Sequence, residues 1–243
     1  MLILEKVVKK LNLLKYCLTS AKFHFMRTVV YISLFALVFF QQGFSQDYIS
    51  AAAQFKEEVA AFAQIELNDE PLVLFTGSSS VRLYKNVSQL SDKVRIVNTG
   101  FGGSTAFGLL TYLDQAVLRF KPKQVFIYEG DNDIAAGRTN ATIIAHLNSV
   151  FQRIWADFPE TQIVFIAAKP SPLRWDKHEQ YEALNSAIER WAKREKRLKF
   201  ADVYSPMIDG IMVREDLFVK DRLHMNEKGY ALWDEVISPM ILN

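Results

Sequence analysis

Three consecutive serines, Ser78, Ser79 and Ser80, follow Gly77 at the end of an apolar run, and near the far end of the chain His224 stands three residues after Asp221. A hydroxyl, an imidazole and a carboxylate are the side chains that acyl transfer through a serine requires. The imidazole takes the hydroxyl proton, and the carboxylate fixes the imidazole tautomer. The same chemistry needs hydrogen-bond donors aimed at the oxyanion that develops on the attacked carbonyl. Two segments between the serines and the histidine offer them: the flexible backbone of Gly100-Phe101-Gly102-Gly103-Ser104, and Glu129-Gly130-Asp131-Asn132-Asp133 with its side-chain amide. Singly, each segment has a plainer reading. A Gly-Ser turn after a strand is often a tight turn or a phosphate cradle, and Gly-Asp-Asn-Asp reads as a turn with Asx caps.

What links these segments is the pattern that carries them. Five short runs rich in Val, Ile and Phe, at 72–76, 94–98, 124–128, 162–167 and 198–203, read as buried strands. Between them, 105–120, 139–158 and 175–197 show apolar residues at helical spacing, for example Ile143, Leu147, Val150, Phe151 and Ile154. Thr139 or Asn140 offers an N-cap to the second, and Pro159 lies just past its end. A further helix is expected over 49–65, and a short one after His224. Strands alternating with helices imply right-handed crossovers and a parallel sheet covered on both faces, an α/β fold. In such open sheets ligands bind beyond the carboxyl ends of the strands. The serine, glycine and asparagine segments each follow a strand.

The composition agrees with a folded body: half of the 243 residues are hydrophobic and 23% charged, far from the signature of disorder. The net charge of +2 hides an asymmetry, since six of the 29 basic residues and one of the 27 acids fall within residues 1–45. The remainder is slightly acidic and lacks the basic footprint of a nucleic-acid binder. The single cysteine, Cys17, also lies in that leader, which leaves the body without a disulfide, thiol nucleophile or cysteine metal site. His146 and His178 read as surface or cap residues, and with no His-x-x-x-His pair no metal is expected. Trp175, in the loop Lys169-Pro170-Ser171-Pro172-Leu173-Arg174-Trp175 after the fourth strand, could stack on a sugar or acyl group, or anchor the helix that follows.

Taken together, these residues resemble the SGNH or GDSL hydrolases, a family of lipase- and esterase-like acylhydrolases. Its first block is similar to Leu74-Phe75-Thr76-Gly77-Ser78-Ser79, which singles out Ser79 among the three serines. Its Asn-x-Gly-x-x-Gly block is similar to Asn98 through Gly103, its Gly-x-Asn-Asp block to Gly130 through Asp133, and its Asp-x-x-His block to Asp221 through His224. The resemblance extends over residues 70–240. It implies a three-layer α/β/α sandwich around a flavodoxin-like, five-stranded parallel sheet, with a triad of Ser79, His224 and Asp221. The oxyanion hole would be the Ser79 and Gly103 N–H groups with the Asn132 amide, and no cofactor is needed. One departure stands out: Ser78 occupies the position of the family's usual aspartate. The implied activity is serine hydrolysis of esters, and the resemblance leaves carbohydrate O-acetyl esters, other short-chain esters, lysophospholipids and thioesters open. Short-chain esters, with O-acetyl groups on saccharides, are favoured because an exported enzyme meets polysaccharide. A lysophospholipase- or thioesterase-like acylhydrolase, and a catalytically silent flavodoxin-like binding module, are the alternatives.

The N-terminus suggests a compartment. The apolar run 29–40 follows Met26-Arg27 and precedes a polar, small-residue stretch. It is short for a membrane span, which needs about 20 residues, and suits a secretory signal peptide over 26–45 with cleavage near Ser45 or Gln46. Residues 1–25 would be an N-terminal extension, with Met26 an alternative start, and 46–243 a single hydrolase domain. The expected location is secreted or periplasmic, without stable membrane insertion after cleavage.

Overall fold

In the computed structural model, residues 52–68 and 70–242 are described; the expected signal peptide and its cleavage point lie outside them. The central sheet consists of β1 (Leu72–Gly77), β2 (Arg95–Gly100), β3 (Gln124–Tyr128), β4 (Gln162–Ile166) and β5 (Leu198–Ala201). All neighbours are parallel and the order is β2-β1-β3-β4-β5. The chain therefore starts in the interior, steps to one edge, and returns across β1 to build the other half. That reversal between β1 and β3 opens a crevice at the strand ends. Register brings the crevice to one level: Gly77 of β1 lies opposite both Gly100 of β2 and Tyr128 of β3. The serine, glycine and asparagine segments consequently leave the sheet side by side.

Right-handed crossovers distribute the helices over two faces. On one face α3 (Ala106–Thr111), α6 (Asn140–Asp157) and α7 (His178–Ala192) pack in sequence. On the other, α2 (Ser79–Arg82) meets α8 (Glu227–Ile237) through a cluster in which Trp233 contacts Tyr84, Tyr128 and Tyr230. Short helices α1 (Lys56–Ala60), α4 (Leu113–Ala116) and α5 (Asp131–Ala135) complete the set, with a small hairpin of β6 (Ile208–Asp209) and β7 (Met212–Val213). The core runs through the middle of the sheet, where Phe75 and Phe126 stack with centroids 4.4 Å apart. Fully burying one such side chain stabilises the fold by about 1.5–3 kcal/mol.

Three helical expectations are corrected. Within the described part of 49–65, turn residues 54–55 interrupt the helix, which resumes as Lys56–Ala60 and ends in a 3-10 turn at Ala61–Gln64. The stretch 105–120 divides into α3, α4 and a 3-10 turn at Leu118–Phe120. Thr111 hydroxyl donates back to the Phe107 carbonyl at 2.8 Å, a contact that bends helices, and Tyr112 and Val117 then leave helical φ/ψ. The stretch 175–197 opens as a proline-led 3-10 segment, Pro172–Lys177, and becomes regular only at His178. By contrast α6 begins where its cap requires, with the Thr139 hydroxyl accepting from Thr142 N–H at 3.2 Å.

Candidate active site

The turn after β1 is shaped by Gly77. Its φ is +126°, and a Cβ there would sit 2.0 Å from the Tyr128 carbonyl oxygen, so no other residue fits. That close approach lets Ser78 N–H donate to Tyr128 carbonyl at 3.1 Å, while Phe101 N–H donates to Gly77 carbonyl at 2.8 Å. The turn is thereby fastened to both neighbouring strands. Ser78 becomes the extended N-cap of α2 and Ser79 its first residue.

The three serines then separate in environment. Ser78 is buried, with its hydroxyl 3.4 Å from Asp131 Oδ1. Ser80 is also buried. Ser79 is half-buried, and its Oγ lies 2.9 Å from His224 Nε2. His224 Nδ1 lies 2.6 Å from Asp221 Oδ2, and Asp221 Oδ1 accepts the backbone N–H groups of Leu223 and His224 at 2.8 and 2.9 Å. Burial opposes ionisation of Asp221, but the His224 ring and these two N–H donors outweigh it and bring its pKa down to about 2. The carboxylate is therefore charged at neutral pH and can hold the imidazole with Nδ1 protonated, leaving Nε2 as the acceptor for the serine hydroxyl.

The loop that carries His224 is tethered at several points. Phe218 and Met225 form a β-bridge across its base, and Val219 N–H donates to His224 carbonyl at 2.9 Å. Asn226 caps α8 by accepting from Lys228 and Gly229 N–H, and returns its own amide to the Asp216 and Phe218 carbonyls. Beneath it the buried Lys169 donates through Nζ to Leu223 carbonyl at 2.7 Å and sits 5.3 Å from the Phe218 ring centre. Burial lowers the Lys169 pKa to about 8.

The glycine segment follows β2 and Asn132 lies in α5 after β3, the two strands that flank β1. Gly102 N–H is engaged by Glu58 Oε2 at 2.9 Å. The N–H groups of Ser79 and Gly103 meet no acceptor among the described residues. Gly103 has φ of +74° with only Phe55 near a would-be Cβ, at 3.9 Å; its backbone conformation, more than crowding, is what favours glycine. Asn132 Nδ2 donates to Ser104 carbonyl at 2.9 Å, and its Oδ1 accepts from Arg174 Nη2 at 3.1 Å.

Under this surface lies a buried polar layer. Ser104 hydroxyl donates to Glu129, whose carboxyl is pushed well above the usual range by burial, with Asp133 adding to the shift. Asp133 accepts Ala106 N–H at 3.0 Å, so the two acids fasten the glycine segment and α3 to the end of β3.

Residues 74–232 match the GDSL-like Lipase/Acylhydrolase family. The chain belongs to that family. As a GDSL-like acylhydrolase it is a hydrolase of ester bonds. Solved structures share the fold. A GDSL-like lipase from Bacteroides thetaiotaomicron aligns with a TM-score of 0.65 at 22% identity, covering 78% of this chain and 96% of that one. A protein from Streptococcus pneumonia aligns with a TM-score of 0.68 at 21% identity over 82% and 96%. An acetyl esterase mutant holding an acetate ion aligns with a TM-score of 0.58 at 19% identity over 70% and 95%. No curated protein matches the chain.

The structure brings Ser79, His224 and Asp221 into one hydrogen-bonded row and places Gly103 in the segment after β2 and Asn132 in α5 after β3. Trp175 lies in the 3-10 segment with one face stacked on His178, centroids 4.6 Å apart. His146 is half-buried and packs 5.2 Å from Phe107 rather than standing in solvent. Arg174, Lys169, Asp131 and Glu129 went unassigned in the sequence. A lysine directly after a buried strand, and acids in an otherwise apolar strand end, were the available signals.

Proposed function

We propose that this acylhydrolase cleaves short-chain esters through a covalent serine intermediate, with Ser79 as nucleophile, His224 as general base and acid, and Asp221 as the carboxylate that orients it. The observation that carries the reading is the continuous row from Ser79 Oγ through His224 to Asp221, at 2.9 and 2.6 Å. His224 Nε2 takes the hydroxyl proton as Oγ attacks the ester carbonyl, and Asp221 stabilises the imidazolium. The negative charge on the tetrahedral oxygen is met by the Ser79 and Gly103 N–H groups and the Asn132 amide. Each such donor contributes about 2.7–4 kcal/mol to the transition state. The imidazolium then gives its proton to the departing alkoxide. A water, deprotonated by the same Nε2, attacks the acyl-enzyme and releases the acid.

We favour an O-acetylated saccharide as substrate. Asp221 and His224 line one side of a groove of about 760 Å³ whose other walls include Lys85, Asn86 and Glu227 as well as Leu83 and Val219. Lys85, Asn86 and Glu227, set among the apolar Leu83, Val219 and Met225, would offer hydrogen bonds to a hydroxylated leaving group beside the proton-donating histidine. The apolar run 29–40, read as an export signal, would deliver the enzyme to the compartment where polysaccharide is met. Trp175 is a candidate contact for the acyl or sugar group. A series of p-nitrophenyl esters from acetate to palmitate, followed by acetylated sugars, tests the assignment. Highest kcat/KM on acetate supports it, and activity rising with chain length beyond butyrate contradicts it.

A further inference from the structure

The side-chain amide of Asn132 can lie in two orientations, and only one presents N–H to an oxyanion. Its surroundings read both ends. Oδ1 faces Arg174 Nη2 at 3.1 Å, and a guanidinium has donors only. Nδ2 faces the Ser104 carbonyl at 2.9 Å, which can only accept. Flipping the amide would set NH2 against guanidinium N–H and oxygen against oxygen, two repulsive contacts in place of two hydrogen bonds. One hydrogen on Nδ2 is committed to Ser104, and the second meets no acceptor among the described residues.

Arg174 is itself held. Nη1 donates to the Asp131 carbonyl at 3.1 Å and lies 3.5 Å from Asp131 Oδ2. The Asp131 carboxylate is kept in place by the Tyr128 hydroxyl at 3.1 Å and by Ser78 at 3.4 Å, and Tyr181 donates to its carbonyl at 3.3 Å. The Arg174 and Asp131 side chains retain only 16% and 5% of their accessibility. A buried ion pair of this kind is a weak source of stability, since desolvation cancels much of the attraction. A positional role accounts for it better.

We propose that Arg174 is a positioning residue for the reaction: through its hydrogen bond to Oδ1 it locks the Asn132 amide with N–H toward the oxyanion, and its charge polarises that amide. Asp131 sets the guanidinium, and Ser78 leaves room for the Asp131 carboxylate beside the nucleophile turn. The inference rests on the serine-esterase reading given above.

The test is a double-mutant cycle in the full chain with p-nitrophenyl acetate, using Asn132→Ala, Arg174→Met, Arg174→Lys and the combinations. Rates are normalised to the fraction that fluorophosphonate titrates at completion, and Ser79→Ala serves as the inactive reference. Expected is a fall in kcat of about 10- to 100-fold for Arg174→Met with KM changed less than about threefold, and nearly no further loss from Arg174→Met once Asn132 is alanine. Arg174→Lys, which keeps the charge but not the fork, should fall between. Equal factors in both backgrounds, or a raised KM with kcat intact, overturn the inference while leaving the serine mechanism standing. Full activity in Asn132→Ala overturns the inference together with the oxyanion role of Asn132, and activity in Ser79→Ala overturns the underlying reading. Should Arg174→Met fail to fold, the same comparison with Arg174→Lys decides.

Discussion

Asp221 grips His224 twice, through Oδ2 to the ring Nδ1 at 2.6 Å and through Oδ1 to the residue's own backbone N–H at 2.9 Å. Ring and main chain of the histidine are thus set by one carboxylate, three residues away in sequence. Asp221→Asn would keep an oxygen for the backbone donors but put an NH2 against Nδ1, favouring the tautomer that cannot accept the serine proton. The expected result is a loss in kcat on the order of 10³- to 10⁴-fold with little change in unfolding temperature. A loss below tenfold would show that the carboxylate does not set the tautomer. Because the Asp221 pKa lies at about 2, the wild-type pH profile should show no ionisation from this group between pH 4 and 8.

Lys169→Met removes the donor to Leu223 carbonyl from a site that is 2% exposed. The orphaned carbonyl costs about 1–3 kcal/mol, and relief of the buried ammonium offsets part of it, so the net loss read by urea titration should be smaller than that. Activity should fall as well, because the carbonyl belongs to the residue before His224. Unchanged stability and activity together would mean that the loop is held by its other tethers alone.

Asp133 should leave a mark on stability against pH. Burial raises its pKa from 3.8 to about 6, with Asp131 contributing to the rise and the Ala106 N–H opposing it. Between those values the folded chain keeps a proton that the unfolded chain has released. The stability contribution of Asp133 is therefore full below pH 3.8 and is lost as pH rises to about 6. Asp133→Asn, which still offers an oxygen to Ala106 N–H, should show a smaller decline over that window by thermal unfolding. Superimposable profiles would contradict the assignment.

Gly77→Ala would drive a Cβ to 2.0 Å from the Tyr128 carbonyl oxygen at a φ of +126°. The Cβ is fixed by its own backbone and meets backbone of β3, so no rotamer change relieves the clash, and the variant should fail to give soluble folded protein. Recovery of wild-type unfolding temperature and activity would show that the β1 turn can be rebuilt.

Much of this was legible beforehand because the determinants are local. Val, Ile and Phe runs marked all five strands to within two residues at each end, and alternation with helices gave the parallel sheet. The four segments with candidate chemistry each stood at a strand end or just before α8. What the sequence did not reveal depends on contacts across the fold. Nothing in 105–120 announces that the chain will leave helical φ/ψ at Tyr112 and again at Val117. The link from Arg174 to Asn132 spans 42 residues, and that from Lys169 to Leu223 spans 54. The choice among Ser78, Ser79 and Ser80 came from the family resemblance, since spacing alone could not make it. In the fold the Ser79 hydroxyl turns to His224 and that of Ser78 to Asp131, while Ser80 is buried away from both.

The most direct test of the central claim is trapping of the acyl-enzyme. The protein, Ser79→Ala and His224→Ala would each be mixed with p-nitrophenyl acetate, quenched in acid and read by intact mass and peptide mapping. The account predicts an acetyl group on Ser79 in the wild-type chain with a matching burst of nitrophenol, and neither in the two variants. An acetylated Ser79→Ala chain, or turnover that survives the loss of Ser79, would contradict it.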